Sequence, residues 1–296
     1  MFKNLDPSVM GATGHQSEAI EVALTYGFPA VDLDIVEFAG RVKLHGMAYA
    51  RRSLVSARIG VGTFTLPVDC EADDDTFKRQ FAELPQYVEM AQELGCTRAL
   101  YQIAPAGDKR PYHENFELHR RRFAEISPVL AAGGLRLGVG IRATEGLRKG
   151  RAFQFIHSLD ALLLLLNMVG VPNLGLSVDV WDLTVSGASL ENIQAISPGQ
   201  VVALQLADLP SDVPLAEATE SQRLLPGTTG RIDCTAILAR LAGAGYDGPV
   251  TIKADRSAYQ SNRRERMAKQ LAEVMDKLWR EARPSPEPSP GVGVAK

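Results

Sequence analysis

The stretch Pro249-Val250-Thr251-Ile252-Lys253-Ala254-Asp255-Arg256 ends an apolar run on a lysine. Such a lysine has three uses. With a lowered pKa it is a base, or an amine that captures a carbonyl. As an ammonium it anchors substrate, and beside a carboxylate it forms a structural ion pair. Other apolar runs also end in polar groups. "GVGIR" ends at Arg142, "SVDVWD" brings Asp179, Trp181 and Asp182, "LQLAD" brings Gln205 and Asp208, and "RALYQIA" carries Gln102. Asp182 is a candidate general base beside the aromatic face of Trp181, or a loop aspartate that accepts backbone bonds. Gln205 is a neutral hydrogen-bonding group, and Gln102 and Asp208 are candidate substrate contacts. Arg142 and Arg223 suit a phosphate or carboxylate, or a surface salt bridge. His15 stands directly before a helix start and is a candidate acid–base group. His113 lies in the loop "RPYHENFELH", whereas His45, His119 and His157 fall in helical patterns.

These residues must be positioned by an alternation of strand and helix. Short apolar runs at 30–36, 58–66, 98–104, 135–141, 174–180, 201–208 and 249–254 read as strands, with a weaker first strand at 7–12. Amphipathic helical stretches lie between them. Ser17 is the expected cap of the first, which stops at Gly27, and Asp73 or Asp74 caps "DDDTFKRQFAELPQYVEMAQELG". Near-continuous apolar strands imply burial on both faces, as in a parallel sheet. Eight strand–helix units in about 280 residues predict an α/β fold, a (β/α)8 TIM barrel, whose active site lies at the C-terminal ends of the strands. A doubly wound sheet is the alternative. It would carry a glycine-rich phosphate loop, which "MGATGHQ" imitates without an acidic partner. The barrel is expected as one domain over residues 1–282. The Pro-, Ser- and Gly-rich tail at 283–296 is expected to be disordered.

The 296 residues carry a net charge of −3, without the basic footprint of a nucleic-acid binder. Arg120-Arg121-Arg122 sits in a helical pattern and reads as a solvated face. Cys70, Cys96 and Cys234 are odd in number and far apart, so no disulfide framework is expected and a reducing compartment fits. The N-terminal stretch lacks an apolar signal core, and Leu159–Val171 is too short and interrupted to span a bilayer. The expectation is a cytoplasmic protein with a small-molecule partner, no nucleic acid and no membrane.

The segments "LRLGVGI", "LGLSVDVWDLTVSGASLENI", "VVALQLADLP", "RLLPGTTGRID" and "GYDGPVTIKA" resemble the sugar phosphate isomerase/epimerase superfamily, the xylose isomerase-like TIM barrels. The resemblance spans nearly the whole folded chain. It implies an isomerase- or epimerase-like protein for a sugar-like polyhydroxylated molecule, and a homo-oligomer. It also implies a divalent metal held by Glu, Asp, His and Glu on strands five to eight. Carried onto this chain, those positions are Gly140, Asp179, Gln205 and Lys253, so only the aspartate remains. A histidine three residues after it is Asp182, and a glutamate after "LPG" is Thr228. One carboxylate and one ammonium balance without a metal. A divalent ion about 4 Å from Lys253 would meet repulsion of roughly 8 kcal/mol at an effective dielectric near 20. The expectation is therefore no metal and no cofactor, with Lys253 in the ion's place and paired with Asp179. Two alternatives stay open: a binding or partner subunit that kept the barrel without the chemistry, and a rearranged metal set of Asp34, Asp179, Asp182 and Asp208.

Overall fold

A computed structural model of the chain describes residues 1–11 and 16–282. Eight parallel strands close a barrel: β1 (Phe2–Leu5), β2 (Ala30–Leu33), β3 (Gly60–Thr65), β4 (Arg98–Ile103), β5 (Arg136–Ile141), β6 (Leu174–Asp179), β7 (Val201–Leu206) and β8 (Pro249–Ile252), in ring order 1 to 8. Helices cover the outside: α1 (Gln16–Tyr26), α2 (Ile35–His45), α3 (Met47–Ala57), α4 (Asp74–Glu93), α5 (Tyr112–Ala132), α6 (Leu159–Val169), α7 (Val180–Val185), α8 (Leu190–Gln194), α9 (Cys234–Gly243) and α10 (Arg264–Ala282). Every residue of β6 and β7 is buried, as two-sided packing requires. Met267, Leu271, Met275 and Leu278 bury one stripe of α10 at helical spacing.

The expected barrel is observed, with differences in detail. The first strand is Phe2–Leu5, and Pro7–Met10 is a 3-10 turn capped by Asp6. The strand "FKNL" holds a lysine and an asparagine between its two apolar residues and has no continuous apolar run to announce it. Helix α1 starts at Gln16, so Ser17 lies inside it rather than capping it. Asp73, not Asp74, caps α4 by accepting from the Thr76 amide at 2.9 Å. The first β/α units carry an extra helix, α3, and short turns add to the loops. His15 and the tail at 283–296 lie outside the described residues.

Register fixes what the mouth displays. Closure pairs Asn4 of β1 with Thr251 of β8, and Asn4 with Ala30 of β2. Continued by two residues, the same register sets Asp6 beside Lys253 on one side and Asp32 on the other. Two residues preserve the facing, so Asp6, Asp32 and Lys253 share the inner face with Asn4, Ala30 and Thr251. On the opposite wall Gly138 and Gly175 face each other between β5 and β6. A Cβ on Gly175 would lie 2.4 Å from the Gln200 carbonyl oxygen. Gly175→Ala should therefore destabilise the barrel by about 1–3 kcal/mol through overpacking. Urea unfolding should show a lower midpoint at unchanged slope.

Candidate active site

Two partly buried charge clusters divide the mouth. The first joins the first and last strands. Lys253 follows β8 and donates from Nζ to Asp6 Oδ2 at 2.5 Å. The other oxygen of Asp6 accepts from the Ser8 amide at 2.8 Å. Beside them Asp32 Oδ1 accepts from Asn4 Nδ2 at 2.7 Å and from Thr63 Oγ1 at 2.5 Å. Asn4 also donates to Thr251 Oγ1 at 2.9 Å. Burial works to lower the Lys253 pKa, but the charge and hydrogen bond of Asp6 outweigh it and raise it. Lys253 is therefore an ammonium, not the amine of lowered pKa that sequence alone leaves open. Burial would raise Asp6, yet Lys253 and the Ser8 bonds hold it low. Asp32 pays for that arrangement: burial and the Asp6 charge push it up to about 7.

The second cluster gathers three carboxylates on one guanidinium. Arg223 donates to Asp179 at 2.8 Å, to Asp182 at 2.5 Å and to Glu220 at 2.8 Å. Its guanidinium carbon lies 4.3 Å from the centre of the Trp181 ring, within cation–π range. Asp179 caps α7 with its remaining oxygen, accepting from the Trp181 and Asp182 amides. Asp182 accepts from the Ala143 amide at 2.8 Å, and burial plus the Asp179 charge raise it to about 7. Lys253 thus pairs with Asp6, not with Asp179, because the Arg223 guanidinium already occupies the Asp179 carboxylate. Trp181 is fully buried, with its face taken by Arg223, and offers no platform to a sugar. Arg142 lies half exposed, 3.6 Å from Glu220. Asp208 is fully buried and accepts from the amides of Leu209, Thr229, Gly230 and Ile232. It shapes the "LPGTTG" loop, whose Gly227 and Gly230 have φ of 76° and 72°. Of the proposed metal set, Asp34 caps α2 and the other three are committed as described. Among the described residues no trio of His, Cys, Asp or Glu is arranged to hold a metal ion.

A cavity of about 900 Å³ opens over the β1–β4 side and reaches Gln205 and Lys253. Of the residues singled out by sequence, Lys253, Gln205, Gln102 and Asp34 line it. Asp179, Asp182, Trp181, Arg142, Asp208 and Arg223 do not. Gln102 fills the room above Gly140: a Cβ there would lie 2.6 Å from its amide. Asp6, Asp32, Asp69, Glu71 and Tyr101 also line the cavity, and sequence reading missed them. The alternation in "AVDLDIV" was the available signal for Asp32. His119, on α5, is fully buried; its Nδ1 lies 2.8 Å from the Asn115 carbonyl and its Nε2 3.7 Å from Glu71 Oε1. Burial lowers its pKa to about 4, so it is neutral. His157 lies in the loop before α6 rather than in a helix, and His113 points to solvent from the first turn of α5.

A family model described as xylose isomerase-like TIM barrel matches residues 20–278. The chain belongs to that family. A xylose isomerase domain protein from Alicyclobacillus acidocaldarius superposes with a TM-score of 0.84 at 24% identity, covering 96% of this chain and 99% of that one. An IOLI protein with a bound zinc atom gives 0.76 at 15% identity, over 95% and 99%. A D-psicose 3-epimerase solved in the presence of D-fructose gives 0.74 at 13%, over 95% and 99%. A comparison with curated protein sequences finds no match. No helix among the described residues is long and apolar enough to cross a membrane.

Two outcomes follow from the charge clusters. Arg223→Met leaves Asp179 and Asp182 buried without their cation and should cost about 3–5 kcal/mol in chemical denaturation; adding Asp182→Asn should recover part of it. Asp32 and Asp182 rise from 3.8 in the unfolded chain to about 7, so the folded state holds extra protons in that window. Their contribution to stability is full below 3.8 and is lost as pH rises through about 7. Asp6 is lowered and acts only below that window. Unfolding followed from pH 4 to 8 should show this decline, and Asp32→Asn should make it shallower.

Proposed function

We propose that the protein is an isomerase or epimerase for a sugar-like polyhydroxylated molecule, working by proton abstraction beside a carbonyl without the family's divalent metal. The observation that carries the reading is an ammonium, Lys253, and a carboxyl of raised pKa, Asp32, on one cavity wall and coupled through Asp6. A divalent ion of the family type needs several hard oxygen ligands. The four ligand positions do not fit it. Gly140 supplies none and lies under Gln102, Asp179 is held by Arg223, Gln205 is an amide, and Lys253 is a cation.

In this reading the Lys253 ammonium donates a hydrogen bond to the substrate carbonyl oxygen. Ionised Asp32 removes the proton from the neighbouring carbon. The C–H electron pair becomes the carbon–carbon double bond, and the carbonyl pair moves to oxygen, where Lys253 stabilises the charge. Return of the proton from Asp32 to the former carbonyl carbon, while the proton of the neighbouring hydroxyl passes to the enolate oxygen and that hydroxyl carbon becomes the new carbonyl, completes an isomerisation. Delivery of a proton to the original carbon from its opposite face, by a donor other than Asp32, completes an epimerisation. Asn4 and Thr63 fix the Asp32 carboxyl, and Asp6 keeps Lys253 charged. The loss of the ligand positions also favours a second reading, a binding subunit that retains the barrel without turnover.

The test is proton exchange at the carbon next to the carbonyl, followed by NMR in deuterated water with chelator over a panel of ketoses and aldoses. Exchange should survive chelation and rise with pH through about 7, as Asp32 ionises. Lys253→Met and Asp32→Asn should each lower it at least about a hundredfold. Exchange abolished by chelator and restored by a divalent ion contradicts the proposal. Ligand-dependent thermal stabilisation without exchange supports the binding reading.

A further inference from the structure

We infer that the cavity is built for a polyol that carries an ammonium group, rather than for a phosphorylated or carboxylated sugar. The inference rests on the reading of this cavity as the substrate site and goes beyond it in naming the charge of the ligand. Six carboxylate side chains line the cavity, those of Asp6, Asp32, Asp34, Glu37, Asp69 and Glu71. Among the described residues that line it, Lys253 is the one cation, and Asp6 already balances it. Among those described residues a phosphate has no positive partner left. An ammonium has several anionic ones.

The positions of these groups give the ligand a direction. Lys253 and Asp6 follow β8 and β1. Asp69 and Glu71 follow β3, three places around the ring from β8. A carbonyl at Lys253 therefore sets the far end of a sugar-sized molecule toward the Asp69–Glu71 wall. The cations near that wall are turned to other work. Arg110 donates to the Glu71 carbonyl, and Arg122 holds Asp74 and the carbonyls of Cys70 and Ala72; neither lines the cavity. Lys109 acts on Glu71 electrostatically without lining the cavity either. His119 is neutral behind Glu71. Glu71 Oε1 is buried and has no hydrogen-bond partner. Burial and the neighbouring Asp69 raise the Glu71 pKa, a strain that a bound cation relieves.

A second observation points to a ligand in the same cavity. Gln16 lines it at 7% exposure; its oxygen accepts from Arg41 at 2.6 Å, and its buried Nε2 has no partner among the described residues. An unsatisfied buried amide donor is costly, and a substrate hydroxyl would satisfy it. Thr63, Thr65, Gln102 and Gln205 add neutral polar groups for the remaining hydroxyls.

The test uses the full chain and matched sugars: free hexoses, their 6-amino-6-deoxy forms and their 6-phosphates, with binding read by ligand-observed NMR at low salt. The amino forms should bind at least about tenfold tighter than the free hexoses, and the phosphates weaker than both. Added salt should narrow the gap. An Asp69→Asn/Glu71→Gln variant should keep its affinity for the free hexoses and lose most of the amine preference. Any other order overturns the inference, including no amine preference in any pair, a phosphate bound as tightly as its free sugar, or a preference that the double variant retains. Binding needs no turnover, so failure of proton exchange would sink the enolisation reading and leave this result to stand or fall separately.

Discussion

The contact between Lys253 and Asp6 joins residues 247 positions apart and sits where the last strand meets the first. It is possible only because the barrel closes in a register that sets Asn4 opposite Thr251. Its electrostatic effects reach further than its length. Asp6 keeps the half-buried ammonium charged, and its own charge raises Asp32. An isolated lysine there would tend to lose its proton through burial alone. The pair thus turns a strand-end lysine into a fixed cation and its neighbour into a carboxyl that titrates near neutrality.

The other half of the mouth obeys the same rule with a different outcome. Asp179, Asp182 and Glu220 are satisfied by Arg223, which arrives from the loop between β7 and α9 and also covers Trp181. That cluster is packed and holds no part of the cavity wall. Charges that are buried must be paired, and the pairing decides which carboxylates stay available. Those near β5–β6 are spent on structure, while those at the ends of β1, β2 and β3 border open space. The open side of the barrel lies away from β6, the strand that ends on Asp179.

The fold was legible because seven of the eight strands are continuous apolar runs separated by capped helices. The site was legible in part, since Lys253 breaks such a run and marks itself. Its partner was not. Asp6 follows a strand with a lysine and an asparagine in its four residues, so the strand was sought later, at 7–12. That shift hid the register that brings Asp6 and Asp32 to Lys253. The family resemblance pointed to Asp179 as its partner, and nothing local in "SQRLLPG" says that Arg223 folds back onto it across 44 residues. Trp181 and Asp208 looked like mouth residues because they follow strands, but a strand-end position does not fix whether a side chain turns toward the cavity or into the packing. That is decided by partners distant in sequence.

The central claim is that the side chain of Lys253 is a fixed cation maintained by Asp6. The direct measurement is a pH titration of the Lys253 side chain by NMR, on protein labelled with ¹³C/¹⁵N-lysine and assigned with Lys253→Met, in the parent chain and in Asp6→Asn. The account predicts an ammonium that titrates above the ordinary lysine range in the parent and falls when Asp6 is neutralised. A neutral amine at pH 7, or a titration indifferent to Asp6, would contradict it.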